Sequence, residues 1–461
     1  MRIAVVGGGI SGLTAAYRLR TLLGDAAVIT VFESTEMLGG KLRTIDLGGT
    51  RFDVGAEAFL ARRPEALTLA RELGLADQLV HPTGARATVR AGGSTVPLPS
   101  RTLMGLPADP DAVAQLLSES GRAAVAAERD LPPLHLPAGD VSLGGVLRDR
   151  FGDELVDRLV DPLLGGVYAG GADGLGLRAV LPTVAEQIDA GAGSLTAASA
   201  QLLPASAVDD PVFATLTGGL STLVTGLAER ARPELRLGAP VREIRPVRVG
   251  WLVDDLEFDA VVLAVPAPAA RRLLDGVAPA ASDAFAQVEL ASMAVVAFAF
   301  PAGTRLPDAS GVLIAAGESH HDGTPFAAKA FTFSSRKWTH HGQAGVLVRG
   351  SVGRFGQQEA LMARDDELIR LVRADLAGLT GITVDPAAAA VTRWGGGLPQ
   401  YGVGHTDRVA EIERAVADLP GLEAAGATLH GVGIPACVAT ADAAARRLAD
   451  HLLRAVTAVG R

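Results

Sequence analysis

The chain has 461 residues, of which 48% are hydrophobic, and a formal net charge of −9 at pH 7. This length is typical of about three domains, and the excess of negative charge argues against a nucleic-acid partner. The single cysteine, Cys437, excludes an intramolecular disulfide and indicates a reducing compartment. No stretch approaches the roughly 20 apolar residues of a membrane span, and the amino-terminal apolar run is too short for a secretory signal. A cytoplasmic location is expected, with a peripheral membrane contact and the oligomeric state left open.

The first 33 residues have the order strand, glycine turn, helix and strand. An apolar run over 2–6 enters the turn formed by Gly7, Gly8, Gly9, Ile10, Ser11 and Gly12. Glu33 ends the second apolar run, 21 residues beyond Gly12. In such a unit the three spaced glycines allow a tight turn, a close approach to a pyrophosphate and close helix packing. The helix dipole then favours the phosphates, and Glu33 can accept hydrogen bonds from a ribose diol while repelling the 2′-phosphate of NADP.

A second glycine pair, Gly39-Gly40, follows soon after the acid. It adds backbone amides near a bound phosphate, and Lys41 directly behind it can add positive charge there. Nicotinamide dehydrogenases generally lack this pair, whereas proteins that retain FAD commonly have it. The amino-terminal stretch therefore predicts FAD as the cofactor.

The middle of the chain changes from a hairpin pattern to a helical one. Residues 84–99 predict a β-hairpin with its turn at Gly92-Gly93. From 109 to about 202 the apolar spacing is mostly helical. Within that part we predict a flexible loop at 165–171 and another loop at 190–210.

The last 200 residues predict two further kinds of structure. The apolar run 258–266 is typical of a strand buried on both faces, so the nucleotide-binding sheet is expected to resume there. Residues 290–395 are rich in strand patterns and contain one helix at 365–379, which predicts a mixed or antiparallel sheet with a covering helix. The tail, 426–437, predicts a glycine-rich turn before a long helix from about 438 to 456, whose amino terminus can point at a cofactor.

Several stretches resemble a known family. The amino-terminal stretch and Gly39-Gly40 are similar to the amine-oxidase-type FAD superfamily. Further stretches resemble the porphyrinogen oxidases of haem biosynthesis, especially the Gram-positive branch that acts on coproporphyrinogen III: 59–65, 161–170, Lys337-Trp338, Arg393-Trp394, 399–405 and 431–435. The chain departs from the family pattern at Ala436, at Thr440 and over 395–398. These departures bear on the expected packing around the flavin ring.

The resemblance implies a fold and a division into domains. The fold is α/β: a Rossmann-like FAD-binding domain of the p-hydroxybenzoate-hydroxylase type, a mixed-sheet substrate domain and an inserted helical domain. The FAD-binding domain takes 1–80, 211–288 and 396–461, the substrate domain takes 81–108 and 289–395, and the helical insert takes 109–210.

The resemblance also implies an activity. The enzyme would oxidise coproporphyrinogen III to coproporphyrin III with non-covalent FAD and molecular oxygen, releasing hydrogen peroxide. Hydride leaves a methylene bridge for the flavin, so the cofactor carries the chemistry and no catalytic side chain is expected. The implied partners are the porphyrinogen and oxygen, and docking of a ferrochelatase is left open.

The candidate site residues fall into a cofactor set and a substrate set. The cofactor set contains Gly7, Gly8, Gly9, Ile10, Ser11, Gly12, Glu33, Ser34, Gly39, Gly40, Lys41, Gly55, Ala56, Glu57, Ala58, Val241, Trp394, Gly431, Val432, Gly433 and Ile434. A substrate with four carboxylates needs arginines. Arg63 is the first candidate because the family has a basic residue in that stretch, and Arg62, Arg86 and Arg178 are weaker ones. No metal site is expected, because the adjacent pairs His320-His321 and His340-His341 cannot face one way.

Three alternatives stay open. The chain could prefer protoporphyrinogen IX, or it could be another flavin oxidase or desaturase that acts on amines or carotenoids. Amine oxidases of this type often place two facing aromatic side chains at the flavin. This chain has only three tyrosines that could form such a pair. A protein of a different class, an FAD fold that binds without turnover, would be favoured by lost flavin motifs, and here the motifs are present.

Overall fold

The computed structural model describes residues 1–203, 211–341 and 345–459. Part of the predicted loop at 190–210, namely 204–210, therefore lies outside the described residues. The strands, in chain order, are β1 Arg2–Val6, β2 Val28–Phe32, β3 Thr44–Leu47, β4 Thr50–Asp53, β5 Phe59–Leu60, β6 Leu79–Val80, β7 Ala87–Ala91, β8 Ser94–Pro97, β9 Thr102–Leu103, β10 Leu106–Pro107, β11 Phe213–Leu216, β12 Glu234–Arg236, β13 Ile244–Pro246, β14 Trp251–Val253, β15 Leu256–Phe258, β16 Ala260–Leu263, β17 Leu290–Phe300, β18 Gly311–Ile314, β19 Ala328–Thr332, β20 Val346–Val352, β21 Ala388–Pro399 and β22 Leu422–Ala424.

The described residues also form sixteen α-helices. They are α1 Ile10–Leu23, α2 Pro64–Glu72, α3 Glu119–Ala127, α4 Leu143–Phe151, α5 Asp153–Leu155, α6 Asp161–Val167, α7 Leu177–Val180, α8 Pro182–Asp189, α9 Leu195–Leu202, α10 Ser221–Ala231, α11 Ala267–Leu274, α12 Pro279–Ala286, α13 Ser334–Lys337, α14 Asp365–Thr380, α15 His405–Ala417 and α16 Ile434–Val459. A π-helical stretch, Val156–Val160, joins α5 to α6, and short 3₁₀ turns occupy Gly24–Ala26, Ala76–Gln78, Pro110–Val113, Glu128–Asp130, Ala172–Gly174, Thr339–His341 and Glu359–Met362.

A parallel sheet of five strands carries the two ends of the chain. Its order is β12-β2-β1-β16-β22, and each neighbouring pair is parallel. On one face α1 and α16 pack through small residues such as Ala15 and Ala444, while α11, α12 and α15 belong to the cluster on the other face. The predicted buried strand within 258–266 is confirmed as β16, which pairs with β1 over four residues.

A second sheet of seven strands is mixed. Its order is β21-β17-β20-β19-β18-β7-β8, in which only the β18–β7 pair is parallel. The predicted hairpin is confirmed as β7 and β8, and the predicted covering helix as α14, whose Leu368 and Val372 pack on one face of the sheet. Together the two sheets define a mixed α/β fold.

The helices α3 to α9 share one apolar cluster, and here two predictions are wrong. Residues 165–167 complete helix α6 instead of belonging to a loop, because Leu164 is buried in the cluster. Residues 195–202 form helix α9. The buried carboxylate of Glu128 accepts the N–H groups of Leu195 (2.8 Å) and Thr196 (3.3 Å) and so stabilises the start of α9.

The tail helix also begins earlier than predicted. Helix α16 starts at Ile434 and not near residue 438, because Pro435 fits the first turn of a helix, where its missing N–H is not needed. Within the described parts of the chain, no helix is both long enough and apolar enough to cross a membrane.

His405, at the start of α15, fixes this helix to the tail. Its ring stacks on Tyr401 with the centroids 3.8 Å apart, and its Nε2 lies 3.2 Å from the carbonyl oxygen of Leu429. Only 2% of the residue is exposed. Burial lowers the pKa of His405 to about 4, and the nearby Arg408 and His430 act in the same direction.

We therefore expect His405 to make the protein less stable in acid. The unfolded chain binds a proton on this ring below its ordinary pKa, whereas the folded chain does not until about pH 4, so stability is lost as the pH falls through this window. The free energy of unfolding of the wild type should drop by up to about 3 kcal/mol more than that of His405→Gln between about pH 7 and about pH 4. Urea unfolding across this range measures it, and a constant difference between the two proteins would contradict the prediction.

Candidate functional site

Three glycines of the first turn have distinct surroundings. Gly7 joins β1 to α1 with φ +108°, and a Cβ there would overlap the carbonyl oxygen of Ala264. A Cβ at Gly12 would overlap the carbonyl oxygen of Gly7, so α1 can approach the strand only with glycine at this position. A Cβ at Gly9 would meet no atom within 4 Å. The backbone at Gly9 therefore borders open space at the amino terminus of α1.

The second glycine pair forms the other side of this space. The N–H of Gly39 donates to the carbonyl oxygen of Gly8 (2.8 Å), and Gly39 also forms a bridge with Gly9. Gly39 and Gly40 have φ values of +108° and +56°, which favour glycine. The second pair is therefore in direct backbone contact with the first turn, and its predicted role of adding amides near a bound phosphate stays a prediction.

Glu33 lies beside the same turn and is 9% exposed. Its Oε2 accepts the N–H of Gly8 (2.9 Å), and its Oε1 accepts the N–H of Thr35 (2.8 Å) and the hydroxyl of Ser34 (3.2 Å). The N–H of Ala239 donates to the carbonyl oxygen of Glu33 (2.9 Å), which brings the buried Val241 segment to this place. The acid is thus held at the end of β2 next to the glycine turn.

A third segment, 53–58, runs alongside the second glycine pair. The N–H of Ala56 donates to the carbonyl oxygen of Lys41 (2.9 Å), and Trp394 Nε1 donates to the carbonyl oxygen of Val54 (2.9 Å). The guanidinium of Arg349 donates to the carbonyl oxygens of Asp53 (3.2 Å) and Gly55 (2.8 Å). The segment is therefore attached to both sheets.

Two side chains hold the carboxylate of Glu57. It accepts Ser334 Oγ (2.9 Å) and Lys337 Nζ (2.9 Å). Burial opposes the charged form, but Lys337 and Arg349 lower the pKa of Glu57 to about 2. The part of Glu57 left for a ligand is its backbone, as for its neighbours Gly55, Ala56 and Ala58.

The tail turn meets the first turn from the other side. Gly431, with φ +142°, donates its N–H to the hydroxyl of Tyr401 (2.7 Å), and α16 begins three residues later at Ile434. Cys437 in the first turn of α16 contacts Ser11, and Lys41 lies near it. Burial raises the pKa of the Cys437 thiol and lowers the pKa of Lys41.

These segments suit an extended dinucleotide. The first-turn N–H groups of α1 lack acceptors within the helix, they border the open space at Gly9, and the glycine pairs leave that space free of side chains. The acid Glu33 lies at one end of it, the 55–58 segment and Trp394 lie at the second sheet, and Val432 of the tail turn packs against the helical cluster. The geometry fits a diphosphate with a nucleoside at one end and a flat ring at the other.

The four arginines predicted to bind substrate have different surroundings. Arg63 precedes α2, is 45% exposed and pairs with Glu65 (2.7 Å), and Arg62 beside it is exposed. Arg86 lines a cleft of about 710 Å³ together with Asp308 and Arg336. Arg178 pairs with Asp189 (2.6 Å) and donates to the carbonyl oxygens of Pro137 and Gly139, so its donors are occupied.

The aromatic and histidine pairs are held by internal contacts. The rings of Tyr168 and Tyr401 lie 5.6 Å apart, but both are buried and Tyr401 is already stacked on His405. This arrangement does not resemble an open aromatic pair facing a flavin.

The histidines predicted not to bind a metal are held by other contacts. His320 bonds to Asp375 (2.9 Å), and His341 lies against Phe52. Residues 1–203, 211–341 and 345–459 contain no cluster of three metal-ligating side chains.

Sequence reasoning missed several residues that shape the site. Arg349, Tyr401 and Lys329 all contact carbonyl oxygens at segment junctions, and no local motif marks the first or the third. One compositional signal was available: the chain has only three lysines, Lys41, Lys329 and Lys337. Lys329 bonds to Gly165 in α6, Lys337 pairs with Glu57, and Lys41 lies near Cys437.

The class of protein follows from this geometry together with comparisons. The fold is that of a dinucleotide-binding oxidoreductase, and the sequence profile of the family described as "Flavin containing amine oxidoreductase" matches residues 10–449. The chain belongs to that family.

Individual relatives give a more specific comparison than the family as a whole. The chain is 45% identical to the coproporphyrinogen III oxidase of Mycobacterium tuberculosis (strain ATCC 25618 / H37Rv) over 97% of both chains. A crystal structure of a putative protoporphyrinogen oxidase from Exiguobacterium sp. 255-15 is similar with a TM-score of 0.85 and 32% identity, covering 97% of this chain and 98% of that one. The cyclohexylamine oxidase of Brevibacterium oxydans shares the fold, with a TM-score of 0.71 and 17% identity over 98% of this chain and 99% of that one.

The open space at Gly9 gives a direct test of cofactor binding. Gly9→Ala should leave the unfolding temperature of the FAD-free protein unchanged, because the new methyl meets no protein atom. It should weaken FAD binding about tenfold or more, because the methyl occupies the place of a phosphate oxygen. Titration of the apoprotein with FAD, followed by fluorescence quenching, measures the change.

Gly12→Ala is the matched control. Its methyl would overlap the carbonyl oxygen of Gly7, so this variant should lose stability even without FAD. If Gly9→Ala bound FAD as tightly as the wild type, the diphosphate would not lie at this turn.

Proposed function

We propose that the protein oxidises coproporphyrinogen III to coproporphyrin III in haem biosynthesis, with non-covalent FAD and molecular oxygen as the electron acceptor. The observation that carries this proposal is the 45% identity to the mycobacterial coproporphyrinogen III oxidase across 97% of both chains. A relative of that name from Bacillus subtilis, 31% identical over 96% of both chains, adds support. In the overall reaction the porphyrinogen gives up six hydrogens, and three oxygen molecules become three hydrogen peroxide molecules.

The cofactor supplies the redox chemistry, because FAD accepts hydride from the substrate carbon framework and passes the electrons to oxygen. The residues proposed to hold it are Gly7, Gly8, Gly9, Ile10, Ser11, Gly12, Glu33, Ser34, Gly39, Gly40, Lys41, Gly55, Ala56, Glu57, Ala58, Val241, Trp394, Gly431, Val432, Gly433 and Ile434. Their shared task is to bind and orient a flat ring and a diphosphate. The binding is proposed to be non-covalent, since the single cysteine is buried between Ser11 and Lys41.

We further propose the division into an FAD-binding domain of the p-hydroxybenzoate-hydroxylase type, a substrate domain and a helical insert. The FAD-binding domain would comprise 1–80, 211–288 and 396–461, the substrate domain 81–108 and 289–395, and the insert 109–210. The pairing of β1 with β16 and β22, and of β7 with β18, supports the joining of the separated segments. A cytoplasmic location is proposed as well, and contact with a membrane surface or a ferrochelatase stays a prediction.

Among the four arginines, Arg63 stays the first candidate for binding a propionate group of the substrate. Its one ion pair, with Glu65, is partly exposed and therefore weak, so a substrate carboxylate can replace it. Arg62 and Arg86 are exposed and available. Arg178 is the least suited, because Asp189 and two carbonyl oxygens already take its donors.

The wild type should oxidise coproporphyrinogen III more efficiently than protoporphyrinogen IX. The first substrate has four carboxylates for the cationic side chains and the second has two, and charge-assisted hydrogen bonds add binding energy. Oxygen uptake and porphyrin fluorescence, measured side by side with FAD-loaded protein, give the two values of kcat/KM. Equal values would favour a protoporphyrinogen oxidase, and activity with amines alone would overturn the proposal.

Arg63→Ala should raise KM for coproporphyrinogen III by roughly five- to hundredfold and change kcat little. A propionate is remote from the bridge carbon, so its contact is the same in the ground state and the transition state. Flavin content should not change. Arg71→Ala, an exposed arginine at the other end of the same helix, is the control. An unaltered KM in Arg63→Ala would remove Arg63 from the substrate site.

A further inference from the structure

Lys329 is a buried cation without a carboxylate partner. It lies on β19, is 4% exposed, and its Nζ donates to the carbonyl oxygen of Gly165 in α6 (2.9 Å). An ammonium has three N–H donors, and among the described residues no carboxylate lies within ion-pair distance of it. Two other cations with little exposure, Arg150 and Lys337, do pair with an acid.

A second cation, Arg354, is close enough for its charge to act on Lys329. Arg354 follows β20 and is half-buried, and its Nη2 donates to the carbonyl oxygen of Ile314 at the end of β18 (2.7 Å). Burial lowers the pKa of Arg354, whereas burial and the charge of Arg354 lower the pKa of Lys329 to about 7. The charge of Asp161 in α6 acts on Arg354 in the opposite direction, but no ion pair joins the two, and Asp161 Oδ1 instead accepts the N–H of Ala172 (2.7 Å).

The backbone directs the lysine away from the sheet's own core. Ala328 and Phe331 face the covering helix α14, and the register between β19 and β20 shifts between Ala328 and Ala330. Lys329 is the extra residue at this irregularity. Such bulges re-aim a side chain and are frequent next to active sites. Here the effect is to aim the ammonium at α6, across the junction between the seven-stranded sheet and the helical cluster.

The junction is continuous with the candidate cofactor site. The N–H of Phe355, the residue after Arg354, donates to the carbonyl oxygen of Ala169 (2.6 Å), and Gln400 Nε2 donates to that of Tyr168 (2.7 Å). Tyr401, next to Gln400, accepts the N–H of Gly431 in the tail turn. Along this path five residues connect Arg354 to Gly431 in the tail turn, which is one of the segments proposed to surround the flavin: Phe355, Ala169, Tyr168, Gln400 and Tyr401.

Leaving positive charge buried without an anion is unfavourable, and a substrate carboxylate is the group that would relieve it. We propose that Lys329 and Arg354 together bind one propionate carboxylate of the porphyrinogen and set the preference for a carboxylated substrate. This inference rests on the proposed function. In this proposal the junction anchors the substrate, and Lys329 and Arg354 take no part in hydrogen transfer.

The test uses FAD-loaded protein and direct binding of the product coproporphyrin III, followed by its fluorescence. Lys329→Met and Arg354→Gln should each weaken binding about ten- to hundredfold, because each removes a charge-assisted hydrogen bond. Lys329→Arg should keep most of the affinity. Arg414→Gln, which removes an exposed cation on the outer helix α15, should behave as the wild type.

Steady-state kinetics separate anchoring from other roles. For Lys329→Met, KM for coproporphyrinogen III should rise by the same factor as the dissociation constant, with kcat within about twofold. A fall in kcat with unchanged coproporphyrin affinity would show that Lys329 handles a proton, and would overturn the proposal. Loss of FAD or of thermal stability in both Lys329→Met and Arg354→Gln, with coproporphyrin affinity retained by the folded fraction, would make the pair structural and would also overturn it.

The proposed reaction and the proposed carboxylate site can be disproved independently of each other. If the wild type bound coproporphyrin III in a manner dependent on Lys329 but consumed no oxygen with coproporphyrinogen III, the carboxylate site would stand and the proposed reaction would be wrong. If the wild type consumed oxygen and Lys329→Met had the same KM and affinity, the reaction would stand and the carboxylate site would be wrong.

Discussion

The backbone contact between the two glycine pairs is the constraint on which the site depends. The N–H of Gly39 donates to the carbonyl oxygen of Gly8, and Gly9 bridges to Gly39. A Cβ at Gly40 would lie 3.4 Å from the Cα of Gly9, so glycine at this position eases the close approach of the two segments. The contact places the segment that follows Gly40 directly over the amino terminus of α1, where an anion is favoured.

From this contact a series of backbone hydrogen bonds leads to the second sheet. Lys41 and Arg43 accept the N–H groups of Ala56 and Val54, and Trp394 and Arg349 then hold 53–55 from β21 and β20. The two sheets are therefore joined at the site mainly through main-chain groups and two long side chains.

The predictable parts of the fold are those whose signal is local. The turn at Gly7 to Gly12, the hairpin of β7 and β8 and the strand β16 were recognisable because apolar runs and glycines fix them within a few residues. Helix α9 was not, because the acid that stabilises its first turn, Glu128, is far away in the chain. The same limit applies to the site: Glu33 has a known spacing from the turn, whereas Lys329 is directed by a shift in strand register that no local pattern reveals.

The choice between lysine and arginine at the buried junctions has a physical reason. The chain uses arginine for nearly all its cations, and its three lysines lie beside Cys437, Glu57 and Gly165. A buried arginine stays charged under all conditions, whereas a lysine can release its proton when burial is not offset by an anion. Lys337 keeps a permanent carboxylate partner in Glu57, while Lys41 and Lys329 have lowered pKa values. Lysine is therefore the cation that tolerates burial without a permanent anion, as at Lys41 and Lys329.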